Sequence, residues 1–229
     1  VGSVTNKEEF LTAYTPYEAE VSQGILQSIF EYQTMIAELT DMDVSNASVY
    51  DGASAAAEAL MMCQDRKRRE LFISRTVHPM VLETVKTYCR GRNIELQYLP
   101  VKDGLTDQEA LKEKIGSGTA GVYIQQPNYY GLIEDAESIG NIVKAAGAKF
   151  IMGIYPVAAV LLKSPRECGA DIVTGEGQPL GIPMAFGGPY LGFMACRKEL
   201  MRALPGRIVG QTEDHEGRRA YVLTLQARE

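Results

Sequence analysis

Residues 169–194 read GADIVTGEGQPLGIPMAFGGPYLGFM, and the rest of the chain is organised around them. The stretch is expected to open as a short buried strand, Ala170 to Val173, and to return to the core as a second strand, Tyr190 to Cys196. Between these lie Gly175, Gly177, Gly181, Gly187 and Gly188, with Pro179, Pro183 and Pro189. Five glycines and three prolines in fifteen residues suit neither a regular helix nor a strand. They predict a stiff loop whose backbone closely approaches something else.

Upstream, short apolar runs alternate with amphipathic segments of helical period. The pattern predicts strand Leu71 to Ser74, helix Pro79 to Arg90, strand Glu95 to Tyr98 and helix Asp107 to Ile115. Strand Ala120 to Gln125, helix Asp135 to Ala146 and strand Lys149 to Ile154 follow. Pro79 suits a first helical turn, and Gly91 and Gly147 suit helix ends. This alternation implies an α/β fold, a mostly parallel sheet covered by helices on both faces.

Nearer the start, Val21, Ile25, Ile29, Ile36 and Leu39 share one face of a helix predicted from Glu20 to Leu39. Thr5 to Glu8 offers a T-x-x-E cap, and Ser45 to Tyr50 reads as an extended connection. Asp51 is a predicted N-cap for a helix from Ala53 to about Arg66, whose ASAAAEA string favours close packing. A last strand is expected from Arg219 to Gln226, after a polar turn at Thr212 to Gly217. On this reading residues 1–50 form an N-terminal loop and helix, and residues 51–229 the core of a large domain.

Composition narrows the function. A hydrophobic content of 45% with 23% charged residues describes an ordinary globular chain. A net charge of −6 argues against nucleic acid as a partner. The basic run RKRRE, Arg66 to Glu70, is expected to be a solvated helix end. The longest apolar run, Phe150 to Leu162, is short for a bilayer and is broken by Pro156. No signal-peptide pattern precedes the first motif. Cys63, Cys89, Cys168 and Cys196 lie in or beside apolar segments without CxxC spacing. Buried, reduced thiols of a cytoplasmic protein are the expectation.

Several long motifs, in order, carry a resemblance. They are AYTPYEAEVSQG from Ala13, FEYQTMIAELT from Phe30, NASVYDGASAAAEA from Asn46, EGQPLGIPMAFGGPYLG from Glu176 and GRIVGQTEDHEGRRAYVLTLQARE from Gly206. The sequence resembles the glycine cleavage system P-protein family, and within it the α half, glycine dehydrogenase (decarboxylating) subunit 1, of enzymes split into two chains. Against that family it looks like an excised core, lacking an N-terminal segment and a C-terminal domain. It does not begin with methionine. The resemblance implies the large domain of a fold-type I pyridoxal-phosphate (PLP) transferase. In active members the loop after a strand such as Ala170 to Val173 carries the lysine of the Schiff base. Here that loop reads Glu176, Gly177, Gln178, Pro179, and no lysine falls between Lys163 and Lys198. An imine needs a primary amine, which neither glutamine nor proline supplies.

The implied role is therefore non-catalytic. The β subunit (glycine dehydrogenase subunit 2) would hold PLP, and this chain would hold no cofactor. The α2β2 assembly would decarboxylate glycine and pass the aminomethyl group to lipoylated H-protein. By the same resemblance Tyr14, Thr15 and Tyr17 would reach the β active site, with Ser22 and Gln23 behind them. The competing reading packs these tyrosines under the sheet.

The vestigial cofactor pocket would comprise Gly52, Ala53, Ser54, Asn128, Tyr129, Tyr155 and Gln178. Asp51-Gly52-Ala53-Ser54 resembles a phosphate cup at a helix N-terminus, although many helices begin with Asp-Gly and bind nothing. Tyr155 stands where an active relative has an aspartate for the pyridine nitrogen, and a neutral phenol does not replace that carboxylate. Asn128 and Tyr129 follow a strand and could line a cleft, in a segment that reads more readily as a satisfied polar turn. Asp171 and Glu176 are not placed together by anything in the sequence. His78 and His215 form no metal-ligand pattern. Two rivals stand beside this reading. One is an independent PLP enzyme with a relocated lysine, Lys163 or Lys198 being nearest. The other is a doubly wound interaction or nucleotide-binding domain, which lacks GxGxxG and GxxxxGK[ST] here.

Overall fold

The structure, a computed structural model, describes residues 2–11 and 15–225. In chain order the first half holds α1 (Gly2–Thr5), α2 (Glu8–Leu11), α3 (Gln23–Thr40), β1 (Val44–Ser45), α4 (Gly52–Met62), β2 (Glu70–Ser74), α5 (Pro79–Gly91) and β3 (Leu96–Leu99). A small hairpin, β4 (Val101–Lys102) and β5 (Leu105–Thr106), leads to α6 (Gln108–Lys114). Then come β6 (Thr119–Gln126), α7 (Ala136–Ala145), β7 (Lys149–Ile154), α8 (Pro156–Ala159), β8 (Ile172–Glu176), β9 (Gly192–Cys196), β10 (Ile208–Glu213) and β11 (Arg219–Thr224).

Seven strands form one sheet in the order β1-β9-β8-β7-β6-β2-β3. β3, β2, β6, β7 and β8 run parallel, and β9 and then β1 close the far side antiparallel. The central strands are apolar on both faces, as a doubly covered sheet demands. On one face Val122, Phe150, Met152 and Phe193 pack with Ile36 of α3, Leu111 of α6 and Ile139 and Val143 of α7. On the other, Leu71, Ile73, Ile151, Ile172 and Met194 meet the alanines of α4 and Val85 of α5. The expected mostly parallel α/β sheet is what the chain builds.

Several boundaries differ from the expectations. Residue 170 stays outside β8, because its amide closes a turn onto Pro165 and its carbonyl accepts from Arg197. The strand instead runs on through Gly175 to Glu176. A Cβ on Gly175 would lie 2.3 Å from the Phe193 ring, so only glycine lets β9 close down here. The predicted start at Glu20 becomes a 3₁₀ turn, and the helix begins at Gln23. Thr5 ends α1, and α2 begins at Glu8. Helix α4 stops at Met62, so Arg66 to Arg69 lie in a loop and Glu70 opens β2, and Arg68 donates to the carbonyls of Thr119 and Ala146. Gly91 ends α5 in place, while Asn93 takes the left-handed turn, at φ 55°. The last strand ends at Thr224, and Gln226 lies outside the described residues. All four cysteines are buried and unpaired, and burial pushes the Cys196 thiol up to about 12.

Helix α3 is stitched to the β10–β11 hairpin by two glutamines. Gln23 donates to the Tyr221 carbonyl at 2.9 Å and accepts from its amide at 2.8 Å. Gln33 does the same to Val209, at 3.0 and 2.9 Å, and is buried. Each primary amide thus stands in for a neighbouring strand on one hairpin edge. Gln33→Leu fills the same space but leaves both polar groups of Val209 unpaired. It should cost about 2 kcal/mol in urea unfolding, and a midpoint equal to wild type would refute the role of the amide.

Candidate functional site

A cleft of about 330 Å³ opens at the carboxyl ends of β6, β7 and β8, where open α/β sheets place their ligands. Asp51, Gly52 and Ala53 from the start of α4 line it, as do His78, Met80 and Val81 from the start of α5. Gln125, Gly153, Ile154, Tyr155, Gly175, Glu176 and Tyr190 complete it with Tyr123. The local sequence explains this convergence. Pro79 fixes the first turn of α5 while the His78 imidazole accepts from the Met80 amide. The Gln125 carboxamide accepts from the His78 amide at 3.0 Å, fastening α5 to the end of β6. Asp51 caps α4 as expected, accepting from Ser54 at 2.7 Å.

Of the residues assigned to the vestigial pocket, Gly52, Ala53 and Tyr155 line this cleft. Ser54, Asn128, Tyr129 and Gln178 do not. Asn128 is buried, and its side chain ties its own loop to the β4–β5 hairpin: it donates to Gly104 and Glu134 and accepts from the amides of Tyr130 and Leu132. Tyr129 is exposed and packs edge-on against His78, ring centroids 5.1 Å apart. The Gln178 side chain donates to the Ile182 carbonyl inside the glycine-rich loop.

Tyr14 lies outside the described residues. Thr15 borders a second cleft, with Ile29, Ser48, Arg207 and Leu223, that shares no residue with the first. Tyr17 is exposed, with the Arg207 guanidinium 4.8 Å from its ring centroid and donating to its hydroxyl at 2.6 Å. Ser22 precedes α3 without a side-chain cap bond, and Gln23 is the bracket already described.

Among the cleft residues that sequence reasoning did not assign to it, two shape its floor. Glu176 accepts from the Gly52 amide at 3.0 Å through one carboxylate oxygen. The other oxygen accepts from Gln178 at 3.0 Å and Leu191 at 2.8 Å. Its backbone is equally close: a Cβ on Gly52 would lie 2.9 Å from the Glu176 nitrogen. Tyr123 occupies the space above Gly153, where a Cβ would come within 2.1 Å of its hydroxyl. That hydroxyl bonds Thr174 at 3.2 Å, and burial pushes the phenol up to about 12. Burial, and then the Glu176 charge, also push Tyr32 well above the usual phenol range. A glutamate between glycines and a tyrosine in an apolar strand carry no periodic signal that would have marked them.

The donor set does not fit PLP. Among the described residues that line the cleft there is no lysine or arginine, so neither an imine amine nor a guanidinium or ammonium for a phosphate is at hand. Two carboxylates, Asp51 and Glu176, already hold first-turn amides of α4. Lys163 lies on the Glu137 carboxylate at the surface, and Lys198 opens a 3₁₀ turn after β9.

The sheet order, the helices on both faces and a cleft at the carboxyl edge define the large domain of a fold-type I PLP-dependent enzyme. The fold matches an O-acetylhomoserine (thiol)-lyase of Campylobacter jejuni, solved with a pyridoxyl-lysine phosphate, at a TM-score of 0.63 and 18% identity, over 77% of this chain and 42% of that one. A crystal structure of glycine decarboxylase (P-protein) in inhibitor-bound form matches at 0.94 and 44% identity, over 99% of this chain and 51% of that one. The family model for the glycine cleavage system P-protein matches residues 2–229. The chain belongs to the glycine cleavage system P-protein family. It is 54% identical, over its whole length and 52% of the relative's, to a probable glycine dehydrogenase (decarboxylating) subunit 1 of Desulforamulus reducens. It spans about half the length of the curated relatives it matches.

Proposed function

We propose that this chain forms the large-domain part of the non-catalytic α subunit of glycine decarboxylase, in the cytoplasm. Its β partner holds PLP, decarboxylates glycine within an α2β2 assembly and passes the aminomethyl group to lipoylated H-protein. The observation that carries this reading is the cleft itself. It has the place of a fold-type I active site, but among the described residues that line it there is no lysine or arginine. Its surroundings suit a partner instead: Met80, Tyr129, Tyr155, Met184, Phe186 and Tyr190 are all exposed apolar or aromatic side chains. No helix among the described residues is long and apolar enough to cross a membrane. Tyr14, Thr15 and Tyr17 would serve the partner's site, and the Gln23 bracket to β11 anchors the helix that follows them.

The full-length α and β chains, mixed, should catalyse glycine-dependent exchange of carbon dioxide when H-protein is present, and α alone should not. Exchange by α alone would overturn the division of labour. Nothing observed favours the relocated-lysine rival, since neither Lys163 nor Lys198 lines the cleft.

A further inference from the structure

The remaining question is what stands in the cradle that a cofactor phosphate would need. A helix N-terminus attracts anions through its free amides and its dipole. At α4 those attractions are already met from within. The Glu176 carboxylate lies on Gly52 at 3.0 Å and at the same time ties down Gln178 and Leu191, the two ends of the glycine-rich loop. Asp51 takes the Ser54 amide. The geometry is specific to this arrangement, because the close approach of the Glu176 backbone consumes the space that a Cβ at residue 52 would need.

We infer that Glu176 is a built-in anionic ligand of the α4 N-terminus, closing the phosphate cradle of this half while pinning both ends of loop 177–191. A phosphate dianion entering here would have to displace one carboxylate, approach a second and do without a lysine or arginine. Glu176 therefore does two things with one group. It keeps cofactor and free phosphate out, and it holds the loop that presents Met184 and Phe186. The inference rests on the reading that PLP belongs to the partner, and goes beyond it by naming the residue that shuts this site.

The test uses the full-length chain, wild type and with Glu176→Ala or Glu176→Gln. Inorganic phosphate is titrated calorimetrically, and thermal midpoints are compared in phosphate and in chloride at matched ionic strength. Wild type should give no phosphate binding in the millimolar range. Glu176→Ala should bind phosphate at least about tenfold more tightly than wild type, and phosphate or acetate, but not chloride, should raise its midpoint. Glu176→Gln keeps an acceptor oxygen and loses the charge, so it should fall between the two. It carries the comparison if the alanine variant does not fold. Equal phosphate affinity in wild type and variants, or midpoints indifferent to the anion, would overturn the inference. A visible Schiff-base absorbance when PLP is added to wild type would instead sink the functional reading itself. Phosphate binding by wild type without that band would sink only the role of Glu176.

Discussion

Gly140→Ala should destabilise the domain by about 3 kcal/mol, although the residue sits in the interior of a helix. Intrinsic propensity predicts the opposite sign, since alanine there is ordinarily better than glycine by about 1 kcal/mol. Packing decides against it. The new Cβ would lie 2.0 Å from the Cys168 carbonyl oxygen and 3.1 Å from the Phe150 ring. The oxygen belongs to backbone in a tight turn, with Cys168 and Ala170 bonded to Ser164 and Pro165 and Gly169 at φ 85°. No rotamer change relieves that contact, so α7 must lift from β7. For a domain of this size the thermal midpoint should fall by about 10 °C. Gly24→Ala is the control: it is exposed near the start of α3, with nothing within 4 Å of the added atom. It should gain about 0.5 kcal/mol. If Gly140→Ala proved as harmless as Gly24→Ala, the close approach of α7 to the 164–170 turn would be wrong.

That contrast shows where the sequence speaks and where it is silent. The strands β6, β7 and β8 were legible because burial on both faces leaves long apolar runs, and α5 and α7 because one buried stripe repeats with helical period. Asp51 and Pro79 were legible as local chemistry, each deciding its own turn. β10 was not anticipated. Its residues, IVGQTE, pair only with β11, and its buried contacts are made to α3, far away in sequence. β1 has two residues and β4 and β5 two each, too few for any period to register. The carboxyl edge of the sheet was predictable as the place of the site, because parallel strands dictate it. Its occupant was not. Glu176 meets Gly52 across 124 positions, and Tyr123 fills the hollow over Gly153 from the neighbouring strand. Both are facts of tertiary contact. Asn128 teaches the converse: the resemblance placed it in the pocket, but its own polar-turn reading is the one that holds, its partners being its own loop, Gly104 and Glu134.

Glu134 is the centre of that loop, and its loss should be the most damaging polar change in the domain. It is 4% exposed. One carboxylate oxygen accepts from the Thr76 hydroxyl at 2.8 Å and the Asn128 carboxamide at 3.0 Å, and the other from the Thr106 amide at 3.0 Å. Behind these, the Ser74 hydroxyl lies 2.9 Å from Thr76 and 2.8 Å from Thr106, joining the end of β2 to β5. Every direct partner of the carboxylate is a donor, so the site needs an acceptor on both sides. Glu134→Ala would remove three buried hydrogen bonds and should cost about 4 kcal/mol. Glu134→Gln has almost the same shape, yet it must aim an NH2 group at a donor, whichever way the amide turns. It should still cost about 2 kcal/mol. Because this network holds the turn that presents Tyr129 and Tyr130, both variants should also weaken association with the proposed β partner, measured by sedimentation under conditions where the subunit remains folded. A glutamine variant within about 0.5 kcal/mol of wild type in urea unfolding would show that shape, and not the acceptor-only character of the carboxylate, is what this loop requires.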